Sequence, residues 1–488
     1  MKRLILICIA FFLCAAAGFA KNDNYIYDYW NYIEHSPDAY RVSSVLYGSS
    51  LGLDTMLKNP AGLFCIDQRV FIVDSGNNRI IELLYNENKT LSFVRVIDRF
   101  YTDDPDMITT FAAPSDIFVN KDGSIFIADT NNGRVLKLDE NLNLLLTFVE
   151  PDDPTYEKGK SFLPEKVIAD DKGRPYVLAK NVNKGFIKYE YDGKFTGFYG
   201  ASKVVFNWSD YVWKLFSTRK QREQMESFVP TEYSNAYIDS EGFVFATVKT
   251  FQEWDLLSDK AKPIRRLNAL GEDILVKNAT VPPIGDLNWG NAAGIRGASK
   301  FADITVLDNE VYIAIDENRG RLFGYNNQGY LLFAFGGKGN IEGYFRTPTA
   351  VEHCGRDLFI LDAQSCALTV YTPTEFGNLI YDATEQYACG EYDEAAVTWQ
   401  KVLDLNGNYD LAYIGLGKAL VRQKRYKEAM TYFKLKHDRK DYSKAFMYYR
   451  KEVVEKNVGY VVFIAAALLV VCFAIKRISK IKKELEAE

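Results

Sequence analysis

The strongest constraint in this chain is a phrase of strands and turns that returns about every 50 to 70 residues. In one copy, Ala113-Pro114-Ser115-Asp116 leads into the apolar Ile117-Phe118-Val119. Asn120-Lys121-Asp122-Gly123 follows as a turn, because Asn and Asp bond their own backbone and Gly tolerates positive φ. Residues 125–129 form a second apolar segment, Thr130-Asn131-Asn132-Gly133 turns again, and segments at 134–138 and 144–148 complete the unit. Short apolar runs bounded by such turns read as an antiparallel meander of four strands. The phrase opens again at Pro60, Pro164, Pro230 and Pro348, and a fifth unit without the proline keeps 304–307, 311–316 and 331–335.

Each four-stranded unit is apolar on both faces and cannot bury itself alone. Radial stacking of neighbours solves this, so the repeat predicts a mainly β fold, a six-bladed β-propeller over residues 21–375. The sixth unit runs out after three strands at Thr372-Pro373, while residues 40–47 form an unassigned strand upstream of the first unit. That strand is expected to supply the missing outer edge and close the ring.

The repeat-structural residues are Asp74, Arg79, Asp129, Arg134, Asp316, Arg321 and Asp362, set in the motifs Asp74…Asn78-Arg79, Asp129…Asn132-Gly133-Arg134 and Asp316…Arg319-Gly320-Arg321. Together with the lead-in from Phe335 to Pro348, these motifs make residues 40–373 resemble the NHL-repeat family of six-bladed propellers. The third and fourth units depart from it, with Lys180 and Lys249 near the usual Asp. The resemblance implies a binding platform more often than an enzyme, although some six-bladed propellers are lactonases or lyases with a metal in the channel.

Two departures from the repeat are candidate partner-binding elements. Residues 204–228 read as an amphipathic helical insert carrying Trp213, Phe216 and Arg219, and loop 277–300 carries Trp289. Trp254 is a further candidate binding aromatic. From Gly377 the apolar period becomes helical. Gly390-Glu391-Tyr392 is echoed by Lys424-Arg425-Tyr426 at an offset of 34 residues, the tetratricopeptide (TPR) period. Residues 376–456 thus resemble TPR-like helical repeats, with Ala395, Trp399, Gly417, Ala429 and Phe433 at packing positions. A third helix at 442–454 is expected to run on into the segment beyond.

Residues 458–475 are 18 in a row without a charge, about 27 Å of helix and enough for a bilayer core. Lys476, Arg477, Lys480, Lys482 and Lys483 follow, which by the positive-inside rule makes 476–488 a cytoplasmic tail. Residues 1–20 have the basic start, apolar run and small residues of a secretory signal, with cleavage expected after Ala20. Both ends place the bulk of the chain outside the cytoplasm, on a single-pass membrane anchor.

The formal net charge of -5 argues against nucleic acid as a partner. Three histidines, His35, His353 and His437, exclude a His-rich metal site. No Walker loop or G-x-S-x-G elbow is present. His353 ends the first strand of the last unit, where it could face the channel, and is expected to be structural. The repeated Asp set could ring a calcium ion, but turn stabilisation is the expected role, and no cofactor is expected. Cys65, Cys354, Cys366 and Cys389 have no tight spacing and read as buried thiols. The expected function is therefore a membrane-anchored extracytoplasmic interaction scaffold, not an enzyme. It would be an accessory subunit of a transport, export or cell-surface complex, with membrane or secreted proteins as partners. The alternatives are a tethered hydrolase or lyase and a carbohydrate-binding receptor.

Overall fold

The computed structural model describes residues 24–156, 161–180, 182–201, 233–258, 260–287 and 297–486. The signal segment 1–20, the insert 204–228 with Trp213, Phe216 and Arg219, Pro230 and Trp289 lie outside the described residues. The chain divides into two compact units after Asn378.

The first unit is a β-propeller. Its described strands form six antiparallel sheets, whose innermost strands are Gly62–Ile66, Asp116–Val119, Pro164–Ala169, Tyr233–Ile238, Phe301–Val306 and Pro348–Cys354. Each innermost strand lies beside the next, and the sixth lies beside the first, so the ring is closed. As expected from the sequence, Tyr40–Leu46 completes the sixth sheet, pairing antiparallel with Ala367–Pro373 from Leu46 opposite Leu368 to Tyr40 opposite Pro373. The sequence did not announce a second N-terminal contribution. Tyr25–Tyr27 and Ile33–His35 form a hairpin that adds to the edge of the fifth sheet beside Leu331–Lys338. It is fixed from below by buried Asp286, which accepts from the Tyr25 hydroxyl at 2.6 Å, from the Tyr27 hydroxyl and from Arg321 Nη1 at 3.1 Å.

The repeated aspartates are clasps on the lead-in to the first, second, fifth and sixth sheets. Asp129, fully buried, accepts from the Ala112 N–H, Asn132 Nδ2 and Arg134 Nε, each at 2.8 Å. Asp74 does the same with the Lys58 N–H at 2.7 Å and with Asn77 and Arg79 at 2.8 Å. Asp362 takes the N–H groups of Arg346 at 2.6 Å, Thr347 at 3.1 Å and Ser365 at 2.8 Å. A carboxylate whose lone pairs are filled in this way is a turn and lead-in anchor. In the fifth unit Asp316 meets Arg319 Nη1, three residues on, at 3.4 Å, while Arg321 reaches Asp286 at 3.1 Å, which Arg319 Nε also approaches at 3.5 Å. In the degenerate units Lys180 pairs with Glu165 at 3.3 Å and Lys249 with Glu317 at 2.7 Å, which keeps an ion pair near the clasp with its polarity reversed.

The C-terminal part is helical, with helices Glu375–Cys389, Tyr392–Leu405, Asp410–Arg422, Tyr426–Leu435 and Arg439–Leu485. Ala395 and Ala429 are fully buried, as are Tyr409 and Phe433. A Cβ on Gly417 would sit 2.6 Å from Phe433, and one on Gly415 would sit 2.5 Å from Trp399, so both glycines are required by close helix approach. The last helix carries the apolar stretch 458–475 fully exposed, with Val461, Phe463 and Leu469 open along it. It is long and apolar enough to cross a membrane. The expected third helix and the apolar segment are therefore one continuous rod.

Candidate functional site

Strand register defines what lines the channel. Gly62, Asp116, Lys166, Asn235, Asp303 and Ala350 are equivalent, each paired to the residue two strand positions before the turn into the third strand: Val73, Ala128, Leu178, Thr247, Ile315 and Leu361. Two residues on, the same face carries Phe64, Phe118, Ile168, Tyr237, Thr305 and Glu352. The two layers bound a cavity of ≈ 500 Å³ whose lining includes Phe64, Asp116, Lys166, Tyr237, Asp303 and Glu352. That volume suits a small ligand or the tip of a partner's loop. Four consecutive sheets thus place a polar side chain at the narrow layer, and the first and sixth leave Gly62 and Ala350 there. Gly62 is forced, since a Cβ would lie 2.8 Å from the Ser115 carbonyl oxygen and 3.1 Å from Asp116.

These polar groups stitch sheet to sheet. Asp116 accepts from the Val167 N–H at 3.0 Å and from Lys166 Nζ at 3.1 Å, both on the next sheet. Asn235 donates to the Ala302 carbonyl at 3.3 Å, and Asp303 accepts from the Val351 N–H at 2.8 Å as well as from Ile304 at 2.8 Å. Burial raises the Asp116 carboxyl above its usual range despite Lys166. It pushes Asp303 up to about 7 against the pull of the same lysine. Burial alone would lower Lys166, but the carboxylates of Asp116 and Asp303 outweigh it and hold the ammonium above its ordinary value.

Burial first, and then the Asp303 charge, raise the Glu352 carboxyl well above its usual range. Thr305 Oγ1 lies 3.2 Å from Glu352 Oε2 and 2.7 Å from His353 Nδ1. One hydroxyl proton cannot serve two acceptors. The hydroxyl proton goes to Glu352 Oε2, which the His353 backbone N–H also reaches at 3.3 Å, and His353 meets the Thr305 oxygen as its Nδ1–H tautomer. Burial pushes His353 down to about 4, so the imidazole is neutral, as that chain requires. Glu352, not His353, lines the cavity.

Of the residues singled out in the sequence, Trp254 is two-thirds exposed (67%) on the short helix Glu253–Leu257. The others proposed for partner binding lie outside the described residues. The repeat aspartates do not converge on a channel site, and among the described residues no cluster of three or more His, Cys, Asp or Glu side chains is arranged to hold a metal. The channel set Asp116, Lys166, Asn235, Asp303 and Glu352 escaped the sequence reading. Part of its signal was available: Asp116 and Lys166 each lie two residues past a lead-in proline, whereas Asn235 lies five past Pro230 and the fifth unit has no proline to set the count. The cysteines also differ from expectation, for Cys389 is exposed.

No protein-family model and no curated protein matches the sequence. Among solved structures, a streptogramin B lyase is similar at 13% identity and a TM-score of 0.40, covering 69% of this chain and 100% of the other. Virginiamycin B lyase from Staphylococcus aureus is similar at 11% identity and a TM-score of 0.37, covering 68% and 99%. A structural genomics protein of unknown function from Bacteroides thetaiotaomicron is similar at 13% identity and a TM-score of 0.41, covering 70% and 73%. Identity this low says nothing of a shared reaction.

Proposed function

We propose that the chain is a single-pass membrane protein that holds a six-bladed, NHL-type propeller and TPR-like repeats on the extracytoplasmic side of a membrane as a binding platform. Residues 1–20 direct it there, 458–475 anchor it in the bilayer, and 476–488 remain in the cytoplasm. The partner is another membrane or secreted protein, and the chain serves as an accessory subunit of a transport, export or cell-surface complex. The observation that carries binding over catalysis is the state of the channel's polar groups. Asp116, Asn235 and Asp303 are spent on the neighbouring sheet, and Glu352 and His353 are tied through Thr305. A general base needs a free lone pair within reach of its substrate. These groups rigidify the ring and leave a shaped, partly apolar cavity open for recognition.

The Glu352–Thr305–His353 chain is the one feature that favours the enzymatic reading, in which Glu352 acts as a general acid on a channel ligand. Crosslinking in native membranes separates the two. The full-length chain is compared with Ser240→Trp, which places an indole among the residues lining the cavity. The platform reading expects a defined crosslinked protein that is lost from the variant, with no turnover of ester or lactone substrates. An unchanged crosslink pattern together with turnover abolished by Glu352→Gln would replace it with the enzymatic one.

A further inference from the structure

The seam where the propeller ring closes joins the first sheet, which begins just after the N-terminal strand, to the sixth, which that strand completes. A shared apolar cluster spans it, with Val70, Ile72 and Leu83 from the first sheet against Phe359, Leu361 and Leu368 from the sixth. Tyr85 donates to Asp357 Oδ2 at 2.9 Å and Lys89 to Asp357 Oδ1 at 2.9 Å across the same boundary. The Tyr85 and Phe359 rings meet edge-on at 4.9 Å between centroids.

Two cysteines face each other there. Cys65 lies on Gly62–Ile66 and Cys354 ends Pro348–Cys354, the two innermost strands that are neighbours across the seam. Both are half-buried free thiols packed against the shared cluster. Each thiol shifts the ionisation of the other, Cys354 downward and Cys65 upward, as expected of neighbouring sulfurs. Cys366 packs against the same cluster but spends its S–H on the Ala363 carbonyl at 3.3 Å.

From this placement we infer that Cys65 and Cys354 are a modification site, a dithiol that oxidises to a disulfide stapling the first sheet to the sixth. The oxidant is a small or protein disulfide, RSSR. The Cys354 thiolate attacks one sulfur of RSSR and expels RS⁻. The Cys65 thiolate then attacks Cys354 Sγ in the mixed disulfide and expels the second RS⁻. The two protons released by the protein thiols convert both leaving groups to RSH, so one disulfide is reduced as another forms. The order follows from the local chemistry. The neighbouring Cys65 thiol holds Cys354 down to about 7, and Cys354, with burial, pushes Cys65 up. Cys354 is therefore the attacking group at neutral pH. The bond would close a loop through nearly the whole ring, the case in which a cross-link restricts the unfolded chain most. That an oxidising compartment supplies RSSR rests on the extracytoplasmic reading above; the pairing itself does not.

The test uses the full-length chain in mild detergent. It is incubated with oxidised glutathione, alkylated without reduction, digested and analysed by mass spectrometry. The expected result is a linked Cys65–Cys354 peptide pair, with Cys366, Cys389 and Cys472 alkylated, and a melting temperature higher than that of the reduced chain by on the order of 5 °C. In Cys65→Ser, Cys354 stops at the glutathione mixed disulfide. Full alkylation of both cysteines after prolonged oxidation of the wild-type chain, or linkage of either to Cys366, overturns the inference. The same alkylation on intact cells reads the compartment separately. A pair that is reduced in cells yet links in vitro supports the staple and refutes the oxidising location.

Discussion

Asp129→Ala tests the clasp at a fully buried copy. Asp129 is 0% and Arg134 7% exposed. The substitution removes the acceptor of three 2.8 Å bonds and leaves the Arg134 guanidinium inside the protein. Arg134 keeps the Ile108 carbonyl at 2.7 Å, the Thr110 carbonyl at 3.3 Å and the face of Phe100 at 5.1 Å. Breaking a buried pair costs about 3–5 kcal/mol, and the two remaining carbonyls place this site at the low end, about 3 kcal/mol. Removing the stranded charge as well, in Asp129→Ala with Arg134→Met, recovers about 1 kcal/mol or more of that loss. Urea unfolding followed by tryptophan fluorescence measures both. A calcium chelator leaves the wild-type midpoint unmoved, because protein donors already fill the carboxylate. The reasoning is refuted if the single variant loses less than about 1 kcal/mol, or if chelation alone reproduces its loss.

Two further outcomes follow from the same geometry. Glu352→Gln keeps an acceptor for the Thr305 hydroxyl but cannot ionise. A carboxyl raised in the folded state contributes its stability below the unfolded value of about 4.3 and loses it as pH rises toward the folded one, so the variant gains on the wild type as pH rises above about 4.3. Asp303, at about 7, adds to this fall in both proteins, and His353, at about 4, opposes it only below about 6.5; a pH-independent difference between the two unfolding curves would count against a raised Glu352 carboxyl. Gly417→Val drives a branched side chain into Phe433, where even one Cβ lies at 2.6 Å, and costs the helical unit about 1–3 kcal/mol, read as loss of helical circular dichroism at lower urea.

The propeller was legible because its signals are local and repeated. Apolar segments bounded by Asx and Gly turns, such as Asn120 to Gly123, write each hairpin into the sequence, and a missing strand beside a spare one gave the closure at Tyr40–Leu46. The helical packing was legible for a similar reason, since small residues such as Gly417 must face large ones such as Phe433. What escaped depends on distance. Asp116 and Asp303 are far apart in sequence and meet only through the ring, and each looks like one more polar residue at a strand start. Cys65 and Cys354 have no spacing to reveal them, because the seam brings together opposite ends of the repeat. The Tyr25–Tyr27 strand was missed because its anchor, Asp286, lies in a loop with no periodicity to mark it.

The central claim is a propeller held outside the cytoplasm by one helix, and topology tests it most directly. The full-length chain carries an epitope tag after Glu488, and protease is added to intact cells stripped of any outer envelope. The account predicts that residues before the span are digested while a short tagged fragment, beginning near residue 458, survives until the membrane is opened. Survival of the whole propeller, or loss of the tag before lysis, would contradict it.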